Sequence, residues 1–73
     1  MRKNLKEARM AAGMTQQQMA DMLNIALRHY QRIEAGKSNG SFEIWDALED
    51  TLKIHQRKLR EILNNHLDKA KNQ

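Results

Sequence analysis

The chain has no cysteine and no proline among its 73 residues, only three glycines, and one each of tryptophan, tyrosine and phenylalanine. Each scarcity excludes something. Without cysteine there is neither a disulfide nor a thiolate zinc site to hold so short a chain together, and stability has to come from helix packing, helped by oligomerisation. Without proline, and with glycine confined to Gly13, Gly36 and Gly40, nothing breaks the chain except punctuation at helix ends. No apolar run is long enough for a membrane span, and no signal-peptide core follows Met1, so a cytoplasmic location is expected. A chain of this length has room for one domain around one small core.

What is present is helical periodicity and unevenly placed charge. The first 40 residues hold seven basic and three acidic side chains, and the remaining 33 hold six of each. The whole formal excess of +4 therefore lies in the first part of the chain, which suits a polyanionic partner on that side.

Residues 15 to 36 organise the rest. Thr15 followed by Gln18 makes a capping box, and Met19, Ala20 and Leu23 give an apolar face at three- and four-residue spacing over 16–23. Asn24 interrupts that face with a residue that tolerates left-handed backbone. Ile25, Tyr30 and Ile33 continue the inward face through a helix over 26–35, and Gly36 closes it. Two short helices joined by a tight turn are a helix-turn-helix, and they need neighbours to bury their inner faces.

The neighbours are legible on both sides. Residues 1–3 read as a loose basic arm. Asn4 is placed to cap a helix over 5–12 with Leu5, Ala8 and Ala12 inward. Residues 37–40 are a polar loop. Ser41 caps a fourth helix whose apolar stripe includes Phe42, Ile44, Trp45, Leu48 and Leu52, with Phe42 and Leu48 as core. A tryptophan can stack on a base, but nothing basic flanks Trp45, so it is read as core or as the edge of a subunit interface. A fifth helix is expected over 56–67 with Leu59, Ile62, Leu63 and Leu67 on one face, although 48–67 also reads as one uninterrupted amphipathic helix. Residues 68–73 are polar and expected to fray.

The order and spacing of Thr15-Gln16, Met19-Ala20, Asn24 and Ile33-Glu34-Ala35-Gly36 resemble the lambda-type repressor and Cro group, the XRE family, from Leu5 to Leu63. The resemblance implies a compact, all-α, five-helix lambda-repressor-like domain that spans residues 1–73. It also argues for a break near His55 and pairs Arg9 with Glu34 as a fold-fixing contact. Two positions depart from the pattern. Asn24 stands where glycine is common, and Ala26 stands where a Ser or Thr usually caps the third helix, a loss of roughly 1 kcal/mol.

The function implied is sequence-specific binding of double-stranded DNA through the major groove. The resemblance places base readers at Leu27, Arg28 and Arg32. Residue chemistry agrees: Arg reads guanine bidentately, Leu27 can meet a thymine methyl, and Gln31 can read adenine. Phosphate contacts are assigned to Gln16, Gln17, His29, Lys37, Ser38 and Asn39, around the start of the second helix and the loop after the third. A homodimer on a two-fold symmetric operator is expected, joined through some of Trp45, Leu59, Ile62, Leu63 and Leu67. The role expected is that of a small repressor of phage or mobile-element type. The alternative is a protein-interaction module or antitoxin-like partner protein on the same fold. An enzyme is disfavoured: His29, His55 and His66 lack ligand spacing, and there is no glycine-rich nucleotide loop. No metal, cofactor or small-molecule effector is expected.

Overall fold

A computed structural model describes residues 1–61. Those residues form five helices and no strand: α1 Lys3–Ala11, α2 Gln16–Leu23, α3 Leu27–Glu34, α4 Phe42–Leu52 and α5 Gln56–Arg60. α2 packs on α3, α5 rests on α1 and α4, and one core joins them. Its centre is Leu5, Met19, Tyr30, Ile33, Trp45, Leu48 and Leu59, all essentially without solvent exposure.

Local chemistry accounts for the helix-turn-helix. The Thr15 hydroxyl accepts from the Gln18 N–H at 3.0 Å, while Gln18 Oε1 accepts from the Thr15 N–H at 2.9 Å, so the expected box closes in both directions. Asn24 is left-handed (φ 60°, ψ 43°), and the Ile25 N–H reaches back to the Ala20 carbonyl at 3.0 Å. This satisfies a carbonyl that the ended helix would leave free. α3 ends in the same way. Gly36 sits at φ 83°, and the Lys37 N–H donates to the Arg32 carbonyl at 2.8 Å. Ala26 adopts the extended N-cap conformation, and its side chain makes no capping bond.

The ends of the domain differ from the sequence reading. α1 starts at Lys3, and Asn4 lies inside it rather than capping it. The first turn is instead capped from across the fold, by Glu61 Oε2 accepting from the Asn4 N–H at 2.6 Å. The Asn4 amide in turn donates to the Lys58 carbonyl at 3.0 Å. Residues 1–3 are therefore no loose arm. The Arg2 N–H donates to the Glu34 carbonyl at 2.8 Å, and its guanidinium donates to the carbonyls of Ile33 and Ser38. That guanidinium also lies over Trp45, 5.2 Å from the ring centroid, with Arg60 at 5.5 Å.

The chain does break before α5. Lys53 is left-handed (φ 59°), and His55 Nδ1 accepts from the Arg57 N–H at 3.1 Å, which excludes one long helix over 48–67. Among the described residues α5 runs to Arg60, and Glu61 turns left-handed at φ 59°; the rest of the expected span, 62–67, lies outside the described residues. Phe42 is not core: it is 81% exposed. At about 100° per residue it lies roughly 110° from the centre of the Ile44–Trp45–Leu48–Leu52 stripe, beyond the edge that the other helices cover. Trp45 and Leu59 are fully committed to the monomer core, so neither is free to form a subunit interface. Ile62, Leu63 and Leu67, and the tail 68–73, lie outside the described residues.

Candidate nucleic-acid interface

Tyr30, Ile33 and Glu34 form the buried side of α3, so helical geometry turns Arg28, Gln31 and Arg32 outward along one stripe. All three are exposed, His29 is exposed on the flank, and Leu27 is half-buried. Neither the Arg28 nor the Arg32 side chain is tied to another described residue by a hydrogen bond or an ion pair. Lys37 and Asn39 are exposed in the loop that follows. That loop is held from beneath: the Ser38 carbonyl accepts from Arg2, and the Asn39 carbonyl accepts from Trp45 Nε1 at 2.6 Å. Gly40 permits this approach, since a Cβ there would sit 3.0 Å from Trp45 Nε1. Ser38 itself is half-buried.

Charge on this surface has one sign. Between residues 27 and 39 the cations are Arg28, Arg32 and Lys37, and the one acid is Glu34, which is 2% exposed and paired. A surface of that kind concentrates a polyanion next to it.

The pairing of Glu34 joins three elements. Arg9 Nε donates to Glu34 Oε2 at 2.8 Å and Arg9 Nη2 to Oε1 at 3.2 Å, bringing α1 to the end of α3. The Tyr30 hydroxyl donates to Oε2 at 2.6 Å and the Gln16 amide to Oε1 at 3.0 Å. Arg9 Nη1 also donates to the Met14 carbonyl at 2.7 Å. Burial by itself would raise the Glu34 pKa, but the bonds from Arg9, Tyr30 and Gln16 outweigh it and hold the carboxyl below its usual range. The same carboxylate raises Arg9 further, and burial followed by Glu34 pushes the Tyr30 hydroxyl up. At neutral pH the cluster is a charged, hydrogen-bonded pair with a neutral phenol.

The start of α2 lies beside this surface. Thr15 takes the Gln18 N–H, and the backbone N–H groups of Gln16 and Gln17 have no protein acceptor among the described residues. The Gln16 side chain is engaged inward with Glu34, and its carbonyl accepts from the Gln31 amide at 3.3 Å. The Gln17 amide is turned along the helix to Asp21 at 2.9 Å. The structure thus joins Gln16 to Gln31 on the outward stripe that also carries Arg28 and Arg32, leaves Lys37 and Asn39 exposed in the loop after α3, and ties Gln17 to an acid.

The sequence reading did not assign the Tyr30 hydroxyl, which it took only as an inward apolar body. The i,i+4 spacing of Tyr30 and Glu34 on one helix is a signal that could have found it. Nor did it assign the bridging of Glu34 by Gln16, which no local spacing reveals. Among the described residues no cluster of His, Cys, Asp or Glu could hold a metal ion, and no helix is long and apolar enough to cross a membrane.

This geometry is that of a small DNA-binding regulatory domain. A family model described as helix-turn-helix matches residues 5–55, well over half of the chain, and the protein belongs to that family. Comparison with curated proteins and with solved structures returns no match.

Proposed function

We propose that the protein is a sequence-specific regulator of transcription of the lambda repressor and Cro (XRE) type, acting in the cytoplasm as a repressor of phage or mobile-element kind. The observation that carries this reading is the surface on α3 and its following loop, with three cations and no exposed acid between residues 27 and 39. α3 enters the major groove. Arg28 reads guanine through its two-pronged donor set, Arg32 takes a base or phosphate a turn later, Gln31 reads adenine, and Leu27 meets a thymine methyl. Lys37, Asn39, His29 and the backbone N–H groups of Gln16 and Gln17 hold the flanking phosphates, with Ser38 and the Gln17 side chain in minor roles.

A single domain touches too few base pairs to select a site alone, so two copies bind half-sites about one helical turn (~34 Å) apart. With Trp45 and Leu59 inside the monomer, Phe42 is the largest exposed apolar side chain left for that contact among the described residues. The same exposed Phe42 favours a second reading, an interaction module or antitoxin-like protein in which the contact is with a different protein and DNA binding is weak.

The test is titration of the protein against its own upstream region and against random duplex of equal length, at two salt concentrations, with Arg28→Ala alongside. A two-fold symmetric footprint, lost in Arg28→Ala at unchanged helix content, is the expected result. Weak, salt-labile binding that is equal on both duplexes, together with an empty genome-wide binding map, would move the second reading to first place.

A further inference from the structure

We propose that Arg2 and Trp45 are positioning residues for phosphate binding: from inside the domain they fix two peptide planes of the 37–40 loop, and so aim the backbone N–H groups of Asn39 and Gly40 outward at a DNA phosphate. The proposal rests on the DNA-binding reading and deepens it. Neither side chain meets DNA itself; each acts through the loop.

Two interior donors take two successive carbonyls. Arg2 Nη1 donates to the Ser38 carbonyl at 2.8 Å, and Trp45 Nε1 donates to the Asn39 carbonyl at 2.6 Å. Both peptide bonds are trans, and a trans peptide sets its N–H opposite its C=O. The Ser38 carbonyl shares its plane with the Asn39 N–H, and the Asn39 carbonyl shares its plane with the Gly40 N–H. Turning both carbonyls inward therefore turns both N–H groups away from the core. Neither N–H has an acceptor among the described residues, whereas those of Lys37 and Ser38 both return to the Arg32 carbonyl.

Successive N–H groups in a turn make a concavity for an anion. Gly40 supplies the left-handed backbone at φ 73°, and its lack of a Cβ leaves the indole N–H room to reach the loop. The Lys37 side chain is exposed beside it, and the nearest acid in the chain, Glu34, is buried and paired with Arg9. The loop continues directly from α3, so a phosphate of the same duplex is the anion that the DNA-binding reading offers it.

The same arginine anchors the helix before the loop. Its guanidinium also donates to the Ile33 carbonyl, and its backbone N–H to the Glu34 carbonyl at 2.8 Å. The end of α3 and the loop thus share one internal support. Burial, followed by the neighbouring Arg60, works against the charge on Arg2, so the group is held in place by the carbonyls it serves and by the face of Trp45.

The experiment is ethylation interference on the duplex that the wild type selects from a random library, read for the wild type, Arg2→Met and Trp45→Phe, each first checked for helix content. Ethylation removes the charge of one phosphate at a time and blocks contact there. The wild type should show a short set of sensitive phosphates in each half-site. In both variants sensitivity should disappear at one and the same phosphate of that set, while the others and the selected base sequence stay. Affinity for the unmodified duplex should fall by roughly 10- to 150-fold per half-site, the span for hydrogen bonds to a charged group. Trp45→Phe changes no charge and keeps an aromatic ring in the core. Should either variant not fold, Arg2→Ala, or benzothienylalanine at position 45, which keeps the indole shape and lacks only its N–H, takes its place and must show the same loss.

A merely structural role would weaken binding and leave every phosphate as sensitive as before. An Arg2 that touched the phosphate directly would give the loss in Arg2→Met alone. Either result overturns the proposal while the DNA-binding reading stands. A wild type that selects no site at all removes the reading beneath it as well.

Discussion

Arg9→Met is the most searching perturbation of this fold. It removes the cation and keeps most of the aliphatic length. Glu34, 2% exposed, would then hold its charge with only the Tyr30 hydroxyl at 2.6 Å and the Gln16 amide at 3.0 Å, and the Met14 carbonyl would lose its donor. Taking one partner from a buried ion pair costs about 3–5 kcal/mol, because the other charge stays desolvated. A domain of 73 residues has a total stability of roughly 4–11 kcal/mol, so a large fraction of it would go.

The pH dependence gives a sharper signature than the magnitude. In the wild type the Glu34 carboxyl lies below its usual range, so its contribution is present above the unfolded value of about 4.5 and is lost as pH falls through the folded one. In Arg9→Met burial acts without its main counterweight and the carboxyl moves above the usual range. The folded state then binds a proton that the unfolded state does not, and stability rises as pH falls from about 7 toward about 5. Urea unfolding of both proteins across that window, followed by far-ultraviolet circular dichroism and Trp45 fluorescence, measures the difference. Arg9→Met/Glu34→Met should recover much of the loss, since apolar replacement of both partners is often neutral. A cost under about 1 kcal/mol, with a pH slope parallel to the wild type, would refute the assignment of Arg9–Glu34 as a buried, charge-dependent link.

Two further outcomes test other parts of the fold. Ala26→Ser places a hydroxyl at an N-cap that already has the extended backbone but makes no side-chain bond. It should add about 1 kcal/mol and raise the thermal midpoint by roughly 4–8 °C, and an unchanged midpoint would mean that the first turn of α3 gains nothing from a cap. Phe42→Ser should leave monomer stability within about 0.5 kcal/mol, because the ring is 81% exposed. It should also lower the mass seen by sedimentation equilibrium, whereas an unchanged assembly would place the contact away from Phe42.

The parts of the fold that sequence alone makes legible are those in which cause and effect lie within a turn or two. Thr15 with Gln18, Asn24, Gly36 and Ser41 each act on backbone groups close to them in the chain, and each stands in the structure where residue chemistry puts it. What escapes are decisions made across the fold. Glu61 caps a helix that begins 58 residues earlier, at Lys3, and nothing near Lys3 announces it. Helical spacing brings Phe42 close to the inward stripe of α4, but only the packing of α2 and α5 decides which edge of that stripe is covered. Trp45 and Leu59 fail as interface candidates for the same reason, since an apolar residue near a helix end reads alike whether another helix or another molecule covers it. On the candidate interface, the outward stripe of α3 follows from periodicity, whereas the inward engagement of Gln16 depends on a carboxylate 18 residues away.

That engagement constrains how recognition on this surface can change. The guanidinium groups of Arg28 and Arg32 carry no bond to the rest of the described fold, so substitution there alters the exposed surface without touching the core. Gln31 differs, because its amide is the outer end of a chain that begins at the ion pair closing α1 onto α3. A substitution at Gln16 or Glu34 reaches the core and the exposed stripe together, and stability and surface chemistry at those positions cannot be varied independently. The carboxylate that ties α3 to α1 and α2 is thus also joined, through Gln16, to one exposed side chain on α3. The chain has no cysteine or proline with which to hold those helices together by other means.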